Sequence, residues 1–418
     1  MTALPEEHVV KVLSMREVET IAEPEAFLAR SLSRPLGYQE SLFDMARGKR
    51  TACILICDIT RPVPNAVLLR PILRELHRAG MGDADIRILI ATGMHRPNVG
   101  DELLELVGED IAVRYRVENH DAKDLSAHRY LGQSQGGAAV WLDARFLEAD
   151  VRIATGFIEP HLMAGFSGGR KLIVPGIAGV ETMKYMHGPV LLDHPRAREG
   201  ILDGNPFHDA AVEIARMAGE VFIVNVALNE RRQITGIFCG DLEAAHAEGV
   251  SFVRGVVCDT VPEPVDIVVT TGGGYPLDTT WYQTIKGLTA AMHIVREGGT
   301  IIIAAECRDG IGGEAFTRLV SETDDYEVFM RDLHHEDYFV IDQWQLQEFV
   351  KVIRKASVML VSDGLSDEQL KMLRLEWSPT VEDALQKALL RHGGDASIAV
   401  IPKGPYILAE IGDPLNRH

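Results

Sequence analysis

Residues 51–80 read TACILICDITRPVPNAVLLRPILRELHRAG, and this stretch decides the fold class. Residues 51–57 are apolar and partly β-branched, which is typical of a buried strand. A polar loop, DITRPVPN (58–65), follows, and apolar residues then recur at helical spacing as far as Gly80, a common helix C-terminal signal. A buried strand, a polar loop and an amphipathic helix in succession form the repeating unit of α/β proteins.

The same alternation continues along the whole chain of 418 residues, which is long for a single core. We predict two series of strands, at 51–57, 86–92, 151–155 and 221–228, and then at 266–271, 300–305, 357–362 and 396–401. The polar segment CDTVPEPVD (258–266) separates the series and predicts a domain boundary, with domains at 1–262 and 263–418. The expected architecture is two Rossmann-like α/β domains with the active site in the cleft between them.

Composition and charge exclude several classes of function. The chain has 42 basic and 61 acidic side chains, a net charge of −19, which argues against a broad nucleic-acid surface. No apolar run reaches the roughly 18 residues of a membrane span. The first residues, MTALPEEHVVKVL, lack the basic and apolar regions of a secretory signal. We therefore predict a cytoplasmic protein without nucleic-acid or membrane partners.

The cysteines fit the same picture, because they are few, scattered and without disulfide or zinc-site spacing: Cys53, Cys57, Cys239, Cys258 and Cys307. Cys53 and Cys57 lie on one face of the first predicted strand, so we expect buried structural thiols there.

Four polar clusters come directly after predicted strands: DITRPVPN (58–65), GMHRPN (93–98), GFIEPHLMAGFSGGRK (156–171) and GGGYPLDTTWYQTIKG (272–287). The carboxyl ends of parallel strands meet at one edge of a sheet, where α/β proteins bind ligands. The clusters are therefore expected to converge on a site.

The glycine-rich loop of the third cluster leaves several roles open for Lys171. A nucleotide-hydrolysis loop requires Ser or Thr after its lysine, whereas Leu172 follows here. The glycines would let backbone N–H groups approach an anion, and Lys171 would then bind phosphate or act as a nucleophile. A plain glycine turn with a solvated basic pair is the structural alternative.

The chain contains 15 histidines, of which two lie in glycine- or proline-marked loops beyond strands, His95 and His161. Histidine titrates near neutral pH, so two facing histidines could exchange a proton from opposite sides of a substrate. His187 has no partner at metal-site spacing; it is either structural or a single ligand to a metal held mainly by another group. The histidines in helical patterns are expected at the surface: His77, His246 and His392.

Cations accompany these loops, at Arg61, Arg96, Arg170 and Lys286, and are suited to binding carboxylate or phosphate. Asp58 either orients Arg61 or simply forms a turn.

A second polar group is predicted on a helix, where Tyr282 and Gln283 lie beside Lys286 at helical spacing. These side chains would suit a small hydroxy acid, and an exposed amphipathic face is the alternative. The residues alone thus predict an α/β enzyme for a small anionic substrate with a phosphorylated cofactor.

Taken together, the motifs are more specific. D-x-T-R-P, G-M-H-R-P, H-x-x-x-G-x-S-G-G-x-K, a histidine 16 residues beyond that lysine, and Y-Q-x-x-K occur in this order. This combination resembles the lactate racemase family, the nickel-pincer nucleotide enzymes. The resemblance implies a racemase or epimerase that inverts C2 of a small 2-hydroxy acid, lactate or a related acid, by hydride transfer. It also implies that separate cofactor-biosynthesis enzymes mature the protein.

The resemblance assigns roles residue by residue. Lys171 matches the covalent anchor of the nickel-pincer nucleotide, His187 the protein ligand to nickel, and His95 and His161 the acid/base pair. Residues 1–262 would anchor the cofactor, with the contacts Asp58, Thr60, Arg61, Ser167, Gly168 and Gly169. The substrate would be bound by Arg61 and, from residues 263–418, by Tyr282, Gln283, Lys286 and Trp344.

Two other functions remain open on the sequence. One is a nucleotide-dependent transferase or hydrolase that uses the glycine-rich loop. The other is a non-catalytic carrier of the cofactor, which would need Lys171 and His187 but no pair of acid/base histidines.

Overall fold

The structure is a computed structural model that describes residues 6–335 and 338–412. The chain divides into two compact units, which are described separately below. The N-terminal unit comprises residues 17–187 and 193–254, and the C-terminal unit comprises the described residues up to Arg16, residues 188–192, and those from Gly255 onward.

The strands in chain order are β1 (Val9–Val12), β2 (Ala52–Cys57), β3 (Ile86–Ala91), β4 (Arg116–Asn119), β5 (His128–Gln133), β6 (Ala139–Asp143), β7 (Val151–Phe157), β8 (Pro160–His161), β9 (Gly165–Phe166), β10 (Phe222–Leu228), β11 (Ile234–Asp241), β12 (Cys258–Val261), β13 (Val265–Thr271), β14 (Val295–Ala304), β15 (Ser357–Val361), β16 (Glu376–Trp377), β17 (Ile398–Ile401) and β18 (Leu408–Ile411).

The α-helices are α1 (Pro24–Ser33), α2 (Leu42–Ala46), α3 (Asn65–Arg78), α4 (Asp101–Val107), α5 (Glu109–Arg114), α6 (Ala144–Leu147), α7 (Val180–Met186), α8 (Pro189–Leu192), α9 (Pro206–Met217), α10 (Ala244–Val257), α11 (Trp281–Met292), α12 (Glu314–Glu322), α13 (Tyr326–Asp332), α14 (Gln343–Lys355), α15 (Asp367–Leu373) and α16 (Val381–His392). Short 3₁₀ turns occur at Glu6–His8, Asp83–Asp85, Leu125–Ala127, Gly169–Leu172, Leu277–Thr279 and Gly404–Tyr406.

The N-terminal unit is built on a six-stranded sheet with the order β11-β10-β7-β2-β3-β4. All neighbouring pairs are parallel except β10 and β11, which are antiparallel. Every residue of β2 is buried, including Cys53 and Cys57, as expected for a strand covered on both faces. The structure therefore confirms that both thiols are buried.

The C-terminal unit contains an entirely parallel six-stranded sheet with the order β1-β17-β13-β14-β15-β16. Its edge strand β1 comes from the start of the chain, because Val9 pairs with Ile398. The predicted boundary segment, 258–266, contains strand residues and differs in this from the polar linker that we expected. Its first residues form β12, which pairs with β18, and the division between the units falls inside α10.

The α/β fold class is confirmed, and each of the eight predicted strands is present. Their ends differ by at most two residues, except that β14 begins at Val295, five residues before the predicted start. The helix predicted after the first strand ends at Arg78, and Gly80 follows with a φ of +102°, a conformation that favours glycine. Within the described residues, no helix has the length and apolar character needed to cross a membrane.

Candidate active site

Three of the four polar clusters meet at one edge of the N-terminal sheet. β2, β3 and β7 are parallel neighbours, so their carboxyl ends lie side by side. Asp58 follows β2, His95 follows β3, and Glu159 follows β7. The expected convergence is confirmed for these clusters, whereas cluster 272–287 follows β13 in the C-terminal unit.

Asp58 and His95 form a close pair at this edge. Nδ1 of His95 lies 2.6 Å from Oδ2 of Asp58, and the Thr60 hydroxyl donates to Oδ1 at 2.6 Å. Burial raises the pKa of Asp58, but the hydrogen bonds from His95 and Thr60 outweigh it and leave that pKa below its usual value. Asp58 is therefore a carboxylate that accepts a hydrogen bond from Nδ1–H, which leaves Nε2 of His95 able to exchange a proton.

The Arg61 guanidinium donates to Oε1 of Glu159 at 2.7 Å, and its charge also lowers the pKa of Asp58. The interpretations that Asp58 orients Arg61 or only forms a turn both stay predictions. Glu159 was not among the residues predicted from the sequence, although it lies in the polar cluster that follows a predicted strand.

The glycine-rich loop is held on the sheet by its own polar groups. The Ser167 hydroxyl donates to the Phe157 carbonyl at 2.8 Å and accepts from the Glu159 N–H at 3.0 Å. The Ser167 N–H donates to the Glu159 carbonyl, and the Gly169 N–H donates to Oδ1 of Asn225 at 2.7 Å. These N–H and O–H groups form hydrogen bonds within the protein, so they do not support a phosphate-binding role for the loop.

The loop needs its glycines because protein atoms occupy the space that a side chain would take. Gly168 has a φ of +77°, and a Cβ there would lie 2.8 Å from both Oδ1 of Asn225 and Cγ1 of Ile158. Gly169 has a φ of +53°, and a Cβ there would lie 2.9 Å from the His246 ring. The glycine pattern therefore reflects close packing of the loop against β10 and α10.

Arg170 and His246 complete the packing beneath the loop. The Arg170 guanidinium is buried, donates to the Ala164 carbonyl at 2.7 Å and lies 3.1 Å from Nε2 of His246. Burial lowers the pKa of Arg170 to about 9. The expectation that His246 lies at the surface is wrong, since only 3% of it is exposed. Helical spacing alone did not reveal that this face of α10 covers the loop.

Lys171, His161 and His187 gather around one aromatic ring. Nζ of Lys171 lies 2.7 Å from Nε2 of His161 and 5.3 Å from the ring centroid of Phe207. The His187 and Phe207 rings are 5.8 Å apart and meet edge to face. Asn205 caps α9 at this point and donates to the Met163 carbonyl, which fixes Phe207 against the loop. Phe207 belongs to no motif, so its place in this cluster could not be predicted from the sequence.

His187 has the protonation and tautomer that a metal ligand requires. It caps the end of α7, and its Nδ1 lies 3.1 Å from the Met183 carbonyl, which can only accept. The hydrogen is therefore on Nδ1, and Nε2 keeps its lone pair. Burial, with a smaller effect of the Lys171 charge, lowers the pKa of His187 to about 4, so the ring is neutral at pH 7.

Protein side chains alone do not build a closed metal site here. In the part of the chain that the structure describes, no group of three or more His, Cys, Asp or Glu residues could hold a metal ion. A metal at His187 would need most of its ligands from a bound organic group. One neutral imidazole beside a lysine amine fits that requirement.

The predicted substrate residues of the C-terminal unit form a second cluster. The Tyr282 hydroxyl lies 3.3 Å from Oδ1 of Asp342 and accepts from Nε1 of Trp344 at 3.2 Å. Oε1 of Gln283 is buried and accepts no hydrogen bond from the described residues. Lys286 lies one turn further along α11. The structure thus joins Tyr282 to Trp344, and the binding role of all four residues stays a prediction.

We expect acid to destabilise the N-terminal unit well above the pKa values of its buried histidines. Burial lowers the pKa of His187 to about 4 and that of His246 to about 3, against about 6.5 in an unfolded chain. From pH 6.5 down towards 4 the unfolded state binds more protons, so the free energy of unfolding falls as the pH falls, by about 1.4 kcal/mol per unit for each histidine. Urea unfolding at pH 7, 6 and 5 measures this slope.

The substitution His246→Gln should reduce the slope of the free energy of unfolding against pH by the contribution of one proton, about 1.4 kcal/mol per pH unit. An unchanged slope in the His246 variant would show that its buried neutral state does not contribute.

Comparisons with known proteins identify the family of this chain. The model of the lactate racemase N-terminal domain matches residues 1–200, and that of the lactate racemase C-terminal domain matches residues 261–408. The lactate racemase of Lactiplantibacillus plantarum is 40% identical over 384 residues, which cover 91% of this chain and 90% of that protein. The lactate racemase of Thermoanaerobacterium thermosaccharolyticum is 35% identical over 409 residues, 97% and 95% of the two chains.

Solved structures extend these matches. The lactate racemase apoprotein from Thermoanaerobacterium thermosaccharolyticum has a TM-score of 0.91 at 35% identity and covers 98% of this chain and 96% of its own. A Thermotoga maritima protein has a TM-score of 0.68 at 17% identity, covers 96% of this chain and 100% of its own, and supports the fold alone.

The curated relatives and the matched structure indicate that this α/β protein is an isomerase of the racemase class. The chain belongs to the lactate racemase family. The family resemblance drawn from the motifs is thereby confirmed.

Proposed function

We propose that this protein inverts C2 of a small 2-hydroxy acid, and that lactate, the acid named for its relatives, or a related acid is its substrate. One observation carries the proposal: two histidines, His95 and His161, lie in loops at the same edge of the N-terminal sheet, and His161 contacts Lys171. Lactate racemisation requires an acid and a base for the hydroxyl proton, and histidine suits both at neutral pH.

In this proposal His95 and His161 exchange the hydroxyl proton. Asp58 holds the Nδ1 hydrogen of His95 and directs the ring, so Nε2 accepts the proton when C2 is oxidised and returns it when C2 is reduced. His161, on the neighbouring loop, does the same for the other enantiomer. Arg61, oriented by Glu159, binds the substrate carboxylate.

Lys171 and His187 are proposed to hold the cofactor, a nickel-pincer nucleotide. The Lys171 amine would carry the covalent link, and Nε2 of His187 would be the protein ligand to nickel. When bound, this cofactor would supply a hydride acceptor next to C2. Hydride removal is chemically easier than deprotonation at C2, because the adjacent carboxylate poorly stabilises a second negative charge. Maturation by separate cofactor-making enzymes is part of the proposal.

The direct test is to produce the full chain together with the cofactor-making enzymes, and to measure its intact mass, its nickel content and its racemisation of lactate. The proposal expects an added mass on the Lys171 peptide and near-stoichiometric nickel. Racemisation in D₂O should leave the C2 hydrogen of both enantiomers unexchanged, since a hydride that stays in the site does not meet solvent. Deuterium at C2 would instead indicate proton abstraction.

The two alternative functions receive less support from the site. A nucleotide hydrolase would use the loop N–H groups, yet those of Ser167 and Gly169 are donated within the protein. A carrier would have no use for the Asp58–His95 pair. An unmodified chain without nickel, despite a working maturation system, would contradict the proposal.

We expect His187→Ala to reduce nickel content strongly while the organic adduct on Lys171 is retained. His187 supplies the protein donor to the metal in this proposal, whereas the covalent link depends on a different side chain. Metal analysis and peptide mass of the same preparation measure the two separately. The matched control is His208→Gln, a second partly buried histidine with a pKa of about 4, which should keep its nickel. Equal nickel in both variants would remove His187 from the metal site.

A further inference from the structure

A cavity of about 430 Å³ lies at the carboxyl edge of the parallel sheet in the C-terminal unit. Four neighbouring strands end at it, in the order β17-β13-β14-β15. The chain passes from β13 to β14 on one side and later returns as β17 on the other, and open α/β sheets bind ligands where the strand order reverses in this way. The strand ends that line the cavity are Thr271, Ala304 and Val361, with Pro402 directly after β17.

Asp278 carries a buried carboxylate at the wall of this cavity. It belongs to the loop GGGYPLD (272–278) after β13, the part of the fourth polar cluster for which the proposed function has no role. Only 8% of Asp278 is exposed. Its Oδ2 accepts from the Glu306 N–H at 3.4 Å, whereas Oδ1 is buried and accepts no hydrogen bond from the described residues. A buried carboxylate oxygen without a donor is costly, which points to a bound donor at Oδ1.

The backbone holds Asp278 in this position. Its N–H donates to the Gly274 carbonyl at 3.3 Å, and its carbonyl accepts from the Cys307 N–H at 2.9 Å. Its side chain packs closely against Gly272, since a Cβ on this glycine would lie 2.7 Å from the Cβ of Asp278. The loop is thus tied to the residues after β14, and the carboxylate is positioned before a ligand arrives. A preorganised acceptor lowers the entropic cost of binding.

The charges around the cavity favour a cation. Its acidic lining residues are Asp278, Glu306 and Asp363, and Lys403 is the basic lining residue in the described part of the chain. Three negative charges and one positive charge give a net −2. Arg308 offsets this charge little, because it lies 3.9 Å from Glu306 and both side chains are about half exposed. The cavity is therefore unsuited to the phosphate and the hydroxy acid of the proposed function.

A metal ion does not meet its needs at these carboxylates. Within residues 6–335 and 338–412, no group of three or more His, Cys, Asp or Glu side chains is placed to hold a metal ion. The acids instead line the cavity from separate segments, with Glu306 after β14 and Asp363 after β15. An organic cation needs fewer acceptors than a metal ion and also fills the volume.

We propose that this cavity binds the primary ammonium group of a small organic ligand, and that Oδ1 of Asp278 is its principal acceptor. An ammonium supplies both a hydrogen and a positive charge, whereas a water molecule or a hydroxyl supplies only the hydrogen. Glu306 and Asp363 add negative charge to the same cavity. Lys403 binds the carboxylate of an amino acid but repels a diamine, so the two sources of the ammonium differ in this contact. The site is independent of the proposed function, because no residue assigned to cofactor or substrate lines it.

The test is calorimetric titration of the cofactor-free full chain, at fixed ionic strength, with putrescine and with each of the common α-amino acids. Each amine is paired with a compound that lacks the ammonium group: the diol of the same length for putrescine, and the carboxylic acid without its amine for each amino acid. We expect at least one amine to bind with a Kd below about 10 mM. Its paired compound should bind at least about tenfold more weakly, since it lacks a charged donor for Asp278.

Three variants locate the binding. Asp278→Asn keeps the shape of the side chain but removes its charge, and should weaken binding by about tenfold or more. Asp309→Asn changes an exposed acid that does not line the cavity, and should leave the affinity as it is. Lys403→Ala identifies the source of the ammonium, since it should weaken the binding of an amino acid and strengthen that of putrescine.

The inference is overturned if no amine binds in this range, or if the paired compounds bind as tightly as the amines. Both results come from the unsubstituted chain and need no variant. It is also overturned if Mg²⁺ at an equal concentration displaces the amine, or if a folded Asp278→Asn protein binds the amine with unchanged affinity. Failure of the proposed function is separate, since it appears as missing adduct and nickel in the matured protein.

Discussion

Lys171→Ala is expected to abolish the covalent cofactor adduct and, with it, measurable interconversion of the substrate enantiomers. The amine lies 2.7 Å from His161 and 5.3 Å from the centre of the Phe207 ring, beside the site proposed for nickel at His187. An alanine there offers no nucleophile for the link. The intact mass of protein co-produced with the cofactor-making enzymes measures the adduct, and chiral analysis of lactate measures the activity.

Two further variants separate the link from the charge. Lys171→Arg retains a cation but offers no amine for acylation, so it should also lack the adduct. Lys184→Ala removes a lysine of α7 that pairs with Glu181 at 2.8 Å, and should retain both adduct and activity. Full adduct mass on either Lys171 variant would move the attachment point to another residue.

His95→Gln is expected to lower kcat by about 10² to 10⁴, the usual contribution of a general acid or base. Nickel content and adduct mass should stay at the level of the unsubstituted protein, because His95 lies with Asp58 and takes no part in the Lys171 cluster. For a racemase the equilibrium constant is one, so kcat/KM has to fall equally for both enantiomers. Initial rates from each enantiomer, with the nickel content of the same sample, measure these effects.

His77→Gln is the matched control for the second prediction, since His77 lies on α3 and contacts the Tyr115 hydroxyl. That variant should racemise at the normal rate. An active His95→Gln protein with full cofactor would mean that another group exchanges the hydroxyl proton.

The sequence allowed the strands and the convergence of their loops to be predicted, because both follow from local patterns. Residues 52–57 are apolar throughout, and a strand buried on both faces has this composition. Asp58, His95 and Glu159 meet because their strands are parallel neighbours, a property of the fold class.

Contacts between distant parts of the chain could not be predicted in this way. Gly169 donates to Asn225, and Arg170 contacts His246, each pair separated by many residues with no shared motif. The helical spacing around His246 was compatible with a surface position and did not reveal the loop beneath it. The pairing of the edge strand β1 with β17 could not be predicted either, because the two strands lie far apart in the chain.

The dense contacts of the glycine-rich loop have a consequence for protein engineering. Any attempt to transplant this loop onto another α/β scaffold would have to transfer Asn225 and His246 as well, since a host side chain in either place would collide with the loop or leave its N–H without an acceptor. The short motif alone is therefore not sufficient for such a transfer. The loop has to be transferred together with β10 and α10, against which it packs.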